Sequence, residues 1–279
     1  MSGAKVALCA LLRGAAAEQF TYRFDLLSNL LLMSAYYGIQ LLFFDRIFDL
    51  SPSLGGWSRE EVYLVFFVYI IIMLSIDMIA SSVNRFFYFV HLGSAEPFLV
   101  KPCGVVPIML LRWSQPAFAA VAIAIIGIVL ALAAANLIDI GAMANGRHES
   151  TITASFWRVE ALARSIGFGL GIVAGWIANL SLVILLNTIT FVIQRQIPVD
   201  YIHGELGRLA LLPVDIFPRG AFISLMLAIP MVFAASAPVA LLRGDAQPLV
   251  WLIVSSLVLL LVTCWAFFTA SRKFEGLGG

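Results

Sequence analysis

The stretch VYLVFFVYIIIMLSIDMIASSV, residues 62–83, decides the fold class of this chain. It holds a single charged side chain, that of Asp77, and it is longer than the run of about 20 apolar residues that crosses a bilayer as a helix. Lipid offers no hydrogen-bond partners to the backbone, so such a run satisfies its N–H and C=O groups only as a helix. Residues 62–83 are therefore predicted to form a transmembrane α-helix.

Apolar runs of similar length lie on both sides of this stretch. The chain has 279 residues, of which 62% are hydrophobic and 12% are charged, whereas soluble domains carry about 25% charged residues. We predict an all-α, polytopic membrane protein that forms one transmembrane domain, residues 1–279, with six transmembrane helices. The helices are expected near residues 26–44, 62–83, 113–138, 166–193, 221–242 and 249–270, and a lead-in to the third from Val105 is left open.

Residues 1–25 precede the first predicted span and are less apolar. They contain Lys5, and their apolar run from Val6 to Leu12 is short for a signal peptide and is followed by Arg13. We favour a cytosolic amphipathic helix that lies on the membrane surface over a signal peptide.

Positive charges are distributed unevenly between the two sides of the predicted membrane. Most of the 17 lysine and arginine residues lie in the two termini and in residues 84–112 and 194–220. Because cytosolic segments of membrane proteins are enriched in these residues, we expect both termini and both segments in the cytosol. Residues 194–220, which contain three prolines, are expected to lie along the cytosolic interface, with a partly re-entrant path as the alternative.

The fourth and fifth predicted helices carry residues that shape packing. Gly167, Gly171 and Gly175 recur at four-residue spacing, which lets a neighbouring helix approach closely. We favour a neighbour within the chain over one in another subunit. Pro230 and Pro238 predict a kink in the fifth helix. Residues 155–165 are expected to form a separate short helix before the fourth.

Asp77 is the one acidic residue inside the predicted spans. Asn84 and Arg85 follow it at spacings that bring both near the same helix face. One interpretation makes Asp77 a substrate or coupling contact on a transport pathway. The favoured interpretation is an ion pair with Arg85, or with Arg112 of the next helix, because acids within the membrane pair with a cation or face a cavity.

Motifs for catalysis and nucleotide binding are absent from the sequence. It has no GxxxxGK[ST] phosphate-binding loop, no HExxH and no GxSxG, so no catalytic residue is assigned. The three cysteines and three histidines form no metal-ligand motif, and no metal site is expected. The net charge of +1 gives no indication of nucleic-acid binding.

Several stretches, in their order along the chain, resemble the permease subunits of type-2 ATP-binding-cassette (ABC) exporters. The resemblance covers nearly the whole chain and is greatest to the prokaryotic group of paired six-span permeases. It is carried by FTYRFDLLSN (20–29), HLGSAEPFLVKPCG (91–104), LLPVDIFPRG (211–220), LAIPMVFAASAPVALLRG (227–244) and ASRKFEGLGG (270–279). In that group the loop between the second and third spans contains a glycine, an acid, hydrophobic residues and a basic residue before proline. Gly93, Glu96, Leu99, Lys101 and Pro102 match this pattern, and Pro97 departs from it.

The resemblance implies that residues 84–104 form a cytosolic coupling loop that docks on an ATPase subunit. Aromatic residues before the loop would supply anchors of the kind enriched at interface centres, and Glu96 and Lys101 would supply charged contacts at the rim. The implied coupling residues are Phe86, Phe87, His91, Gly93, Glu96, Pro97, Leu99, Lys101 and Pro102.

The resemblance also implies a function. The chain would be a multi-pass permease in a prokaryotic inner membrane that exports an amphiphilic substrate such as a lipid, glycan-lipid, peptide or drug. It would bind no cofactor itself, because ATP and Mg would be bound by separate soluble P-loop ATPase subunits. A second permease chain, identical or related, would complete the complex, with a heterodimer slightly favoured. The alternative is an ATP-independent secondary carrier or channel, which would need ionisable midplane groups or inverted repeats.

Overall fold

The computed structural model describes residues 2–94, 104–134, 154–193, 195 and 197–272. These ranges consist of α-helices and short connections, and their one β-type contact is an isolated bridge between Leu54 and Trp57. The predicted all-α class is confirmed. The helices are α1 (Ser2–Thr21), α2 (Arg23–Leu50), α3 (Arg59–His91), α4 (Val105–Leu111), α5 (Pro116–Ala134), α6 (Ala154–Ile193), α7 (Val199–Leu209), α8 (Arg219–Ala228), α9 (Ser236–Leu242) and α10 (Gln247–Arg272), with 3₁₀ turns at Val214–Ile216 and Pro230–Phe233.

Within the described residues, four helices are long and apolar enough to cross a membrane. They are α2, α3, the part of α6 from Ala163 to Thr190, and α10. These helices coincide with the first, second, fourth and sixth predicted spans. Two bent pairs, α4 with α5 and α8 with Pro230–Leu242, pass the same test of length and composition when each pair is taken together.

Helix α3 lies at the centre of the bundle. Its first turn is closed by a capping box, in which the Ser58 hydroxyl accepts from the Glu61 N–H (3.3 Å) and the Glu61 carboxylate accepts from the Ser58 N–H (2.8 Å). Helices α5 and α6 pack along α3, and most of its apolar residues are buried. We call the end of the bundle where α3 begins the Trp57 end, and the end where α3 finishes the His91 end.

The third predicted span consists of two helices. Helices α4 and α5 meet at an angle of 65° across residues 112–115. The bend is held against α3, because the Trp113 N–H donates to the Ser82 hydroxyl (3.0 Å) and the Gln115 N–H donates to the Met78 carbonyl (2.8 Å). The lead-in from Val105 is thus a helix in its own right, and α1 packs against both α4 and α5.

Helix α6 corrects the prediction of a separate short helix at residues 155–165. It runs without interruption for 40 residues from Ala154 to Ile193. No proline occurs within it, so the polar N-terminal part continues directly into the apolar span.

The glycine face of α6 packs within the chain. A Cβ atom at Gly167 would lie 2.5 Å from Leu241 Cδ2, and one at Gly175 would lie 2.8 Å from Ala234 Cβ. A Cβ atom at Gly171 would lie 2.7 Å from Pro238 Cγ. The three glycines therefore allow the region from Ala234 to Leu241 to approach α6 closely.

The fifth predicted span, residues 221–242, is not one continuous helix with a kink. Helix α8 and the segment Pro230–Leu242 meet at 120°. Ile216, just before α8, contacts Gly55, where a Cβ atom would lie 2.8 Å from Ile216 Cγ1. Arg243, just after α9, donates to the Gly56 carbonyl (3.1 Å). Both ends of this pair lie at the Trp57 end, so the α8–α9 hairpin enters the bundle and returns to the same end.

The reversal has a local cause at Pro230. Its ring fixes φ and removes a backbone donor, and the residue before a proline is driven out of the helical region. Ile229 accordingly has φ −142° and ψ 69°. Helix α8 ends there, and the chain turns through the short 3₁₀ turn Pro230–Phe233 before α9.

Residues 197–220 run along α3, a course closer to the re-entrant alternative than to a path along the cytosolic interface. Asp200 is hydrogen-bonded to Asn84 near the His91 end of α3. Gly207 faces the middle of α3, where a Cβ atom would lie 2.5 Å from Met73 Cε. Asp215 accepts a hydrogen bond from Trp57 Nε1 (2.7 Å) at the opposite end.

These three contacts show that residues 200–215 run antiparallel to α3 from one end of the bundle to the other. The sequence did not predict this antiparallel course, because α7 is only 11 residues long and carries Asp200, His203, Glu205 and Arg208. By composition it has the character of a surface helix. Its buried face, which includes Val199, His203 and Gly207, instead packs against α3, α6 and the turn at Pro230–Phe233.

Candidate functional site

The two stems of the predicted coupling loop lie together at the His91 end. Helix α3 ends before Gly93 and α4 begins after Gly104, and both glycines have a left-handed φ, 68° and 76°, which glycine adopts without strain. Residues 95–103 between them lie outside the described part of the chain. That segment includes Glu96, Pro97, Leu99, Lys101 and Pro102.

The aromatic residues before the loop divide into two groups. Phe86 and Phe87 are buried in the bundle, and the Phe87 ring packs edge-on against Phe267 of α10 at 6.2 Å. They can hold the stem in place, but their burial leaves no surface for a docked partner. Tyr88, by contrast, is 50% exposed, and so is the neighbouring aliphatic Leu92, at 56%.

A carboxylate from α1 joins both stems. Glu18 Oε1 lies 3.2 Å from Arg85 and Glu18 Oε2 lies 3.3 Å from Arg112. Arg85 and Arg112 therefore both pair with Glu18, and the favoured prediction that one of them pairs with Asp77 is wrong. Exposed ion pairs are individually weak, but this one connects α1 with the ends of α3 and α4.

The start of the third span is fixed to α3 by further contacts. The rings of Phe89 and Trp113 stack at 5.2 Å with an interplanar angle of 24°. The Ser81 hydroxyl donates to the Trp113 carbonyl (3.1 Å). Together with the bond from the Trp113 N–H to Ser82, these contacts join the start of the third span to the final part of α3.

A chain of polar side chains joins three helices near the same end. Asn187 of α6 donates to Asn84 Oδ1 of α3 (2.6 Å), and Asn84 in turn donates to Asp200 of α7. Further into the bundle, His203 Nε2 lies 3.1 Å from Asn179 Oδ1, and both side chains are buried. Two polar residues of α7, Asp200 and His203, thus have partners on α3 and α6, which stabilise this helix inside the bundle.

A cleft of about 440 Å³ opens between α2, α3 and α7. We call it the central cleft. Asp77 lies in its wall, and so do three further charged residues of α7. The residues that line it are Leu32, Met33, Tyr36, Tyr37, Tyr69, Met73, Asp77, Asp200, Tyr201, His203, Gly204, Glu205 and Arg208.

Sequence reasoning found Asp77 but not its surroundings. The four cleft tyrosines come from α2, α3 and α7, and no spacing in the sequence connects them. Within the described ranges, no three His, Cys, Asp or Glu side chains are grouped so that they could hold a metal ion.

The fold and these sites define a multi-pass α-helical membrane protein. A family model described as ABC-2 family transporter protein matches residues 34–146 and 152–278 of the chain. The chain therefore belongs to the ABC-2 transporter family and is a permease component of an ABC transporter, as the resemblance implied. Membership implies association with an ATP-binding-cassette partner. Comparisons with curated proteins and with solved structures gave no match.

Proposed function

We propose that this chain is the transmembrane subunit of an ABC exporter that moves an amphiphilic substrate across a prokaryotic inner membrane. The energy would come from ATP hydrolysed, with Mg, by separate P-loop ATPase subunits. A second permease chain, identical or related, would complete the complex. The observation that supports this proposal, beyond family membership, is the set of contacts that joins the loop stems to one another and to α3.

A permease without a nucleotide site must receive mechanical work from its partner. That requires a cytosolic element whose displacement reaches the spanning helices without being absorbed by a flexible hinge. The described stems on either side of residues 95–103 support such a transfer, since Glu18 joins Arg85 to Arg112 and Trp113 is bonded to Ser82. Exposed Tyr88 and Leu92 extend the docking surface along the stem.

The antiparallel path of residues 200–215 supports a topology of six crossings. These would be α2, α3, the bent pair α4–α5, α6, the segment from α7 to Ile216, and α10. The α8–α9 hairpin would not count as a crossing, because it begins and ends at the Trp57 end. An even number of crossings puts both termini on one side, and the docking role puts the His91 end in the cytosol.

The test is co-purification of the full chain with the products of its neighbouring genes. We expect a P-loop ATPase to be recovered with a tagged chain after gentle solubilisation. The charge reversals Glu96→Lys and Lys101→Glu should each release it, because they alter the docking loop. Glu60→Lys is the matched control, since Glu60 is an exposed acid at the Trp57 end. A well-folded preparation that recovers no ATPase would contradict the proposed function.

A further inference from the structure

We propose that the central cleft binds a substituted ammonium group, so that the substrate is an amphiphilic organic cation. This inference rests on the proposed function, because it names the chemical class of the exported substrate. It is drawn from the charge, the aromatic lining and the size of the cleft.

The first argument is an imbalance of charge. Among the described residues of the wall, Arg208 is the one arginine or lysine, and its guanidinium lies 3.0 Å from Glu205. Asp200 accepts from the neutral amide of Asn84. Asp77 has no hydrogen bond and no ion pair with any residue that the structure describes. Among the described residues, the carboxyl groups of Asp77 and Asp200 therefore have no cationic partner within this largely apolar cleft. A cationic ligand would provide one.

The second argument is the aromatic lining. Tyr36, Tyr37 and Tyr69 form a continuous group, with ring centres 5.3 Å apart for the first pair and 6.2 Å apart for Tyr37 and Tyr69. Tyr201 completes the wall. Ring faces attract cations through their quadrupole, and cages of aromatic residues recognise quaternary ammonium groups.

One ring of the cleft already receives a cation. The guanidinium carbon of Arg208 lies 5.8 Å from the centre of the Tyr36 ring. Its Nε also donates to the Tyr36 hydroxyl (3.1 Å). This contact places the guanidinium of the chain's own Arg208 at the hydroxyl edge of the Tyr36 ring, in the lining of the cleft.

The third argument concerns size and access. A volume of about 440 Å³ is within the range of about 300–1,000 Å³ that is typical of small-molecule sites. Met33 and Met73 add an adaptable apolar lining. Leu31 and Leu32 on α2 expose 72% and 65% of their surface, so an apolar tail would meet an apolar helix face at the edge of the cleft. A bare metal ion would need several oxygen ligands, and the ring faces supply none.

The test measures binding to the permease complex, co-purified with its ATPase and placed in phosphatidylglycerol nanodiscs, with rhodamine 6G as the probe. Fluorescence anisotropy gives its Kd. We expect unlabelled dodecyltrimethylammonium to displace the probe, whereas 1-dodecanol, which has the same chain without the charge, should not. Equal displacement by both would overturn the proposal, and this comparison needs only the wild-type protein.

Substitutions of residues that line the central cleft test which side chains bind the probe. Asp77→Asn should raise the Kd of rhodamine 6G roughly tenfold or more, through loss of the opposing charge. Asp77→Glu should retain binding. Glu60→Gln, which removes an exposed acid outside the cleft, should leave Kd unchanged. Tyr37→Leu should weaken binding and Tyr37→Phe should not, because only leucine removes the ring face. An unchanged Kd in Asp77→Asn would overturn the proposal.

The ammonium group could belong to a free amphiphile or to a lipid headgroup. Replacing part of the phosphatidylglycerol with phosphatidylcholine distinguishes these sources, because a choline headgroup that occupies the cleft raises the apparent Kd of the probe. Failure of this inference is separable from failure of the proposed function. If the complex retains its ATPase but shows no charge-selective binding, only the proposed cation site is contradicted. If the chain shows charge-selective binding but recovers no ATPase, the proposed exporter function is contradicted.

Discussion

The guanidinium of Arg243 lies 4.4 Å from the centre of the Trp57 ring. Asp215 joins the two residues, because it accepts from Trp57 Nε1 (2.7 Å) and from Arg243 (2.9 Å). Arg243 also lies 3.2 Å from Glu61. This cluster brings together the start of α3, the end of the segment that follows α7, and the end of the α8–α9 hairpin.

We expect Arg243→Ala to lower the free energy of unfolding by about 2 kcal/mol, through loss of a cation–π contact and of three charge-assisted contacts, those with Asp215, Glu61 and the Gly56 carbonyl. Thermal unfolding of the purified chain in detergent, followed by intrinsic fluorescence, measures the change. Arg46→Ala is the control, because the described partner of Arg46 is Asp49 in an exposed pair. Equal losses in the two variants would show that the cluster adds no stability.

A methyl group on the glycine face of α6 should separate it from the hairpin. At Gly175 the new Cβ atom would meet Ala234 Cβ at 2.8 Å and the Ala234 carbonyl oxygen at 3.0 Å. Because backbone cannot move aside as a side chain does, Gly175→Ala is expected to lower the free energy of unfolding by about 1–3 kcal/mol.

Gly169→Ala is the matched control for this prediction. A Cβ atom there meets nothing within 4 Å, and alanine favours a helix over glycine by up to about 1 kcal/mol. Its melting temperature should therefore stay the same or rise. A fall in both variants would mean that the loss comes from the helix itself and not from the contact with Ala234.

Reversing the charge of Glu18 should release α1 from the loop stems. In Glu18→Lys the ion pairs with Arg85 and Arg112 become repulsions. We expect trypsin to cut after Arg13, an exposed residue of α1, roughly three- to tenfold faster, as exposed pairs of this kind contribute modestly. Restoring opposite charge with Arg85→Glu and Arg112→Glu should slow the cut again. A triple variant cleaved as fast as Glu18→Lys would contradict this role.

The path of the α8–α9 hairpin predicts which positions share a side of the membrane. Single cysteines at Gly220, Asp245 and Ser271, each an exposed position, are introduced after the native cysteines are changed to serine. A membrane-impermeant maleimide should label positions 220 and 245 from one side and position 271 from the other. Labelling of positions 220 and 271 from the same side, with position 245 labelled from the other, would mean that residues 221–242 cross the membrane. That result would contradict the hairpin.

Part of the candidate site could be predicted from the sequence. Asp77 was evident because a lone acid in an apolar run is conspicuous at any position within it. The orientation of Phe86 and Phe87 was not, because three neighbouring aromatic positions, Phe86 to Tyr88, point in different directions around a helix. Only the packing of α10 shows that Phe87 faces inward and Tyr88 outward.

The sequence by itself determined the all-α membrane class and the long helices α2, α3 and α10. Apolar length is a local property, and in lipid it leaves the backbone no alternative to a helix. The tertiary structure alone decided that α7 lies inside the bundle and that the chain reverses at Pro230. A short polar helix and a proline are each compatible with several paths. The choice came from contacts distant in sequence, such as Asp200 with Asn84 and Asp215 with Trp57.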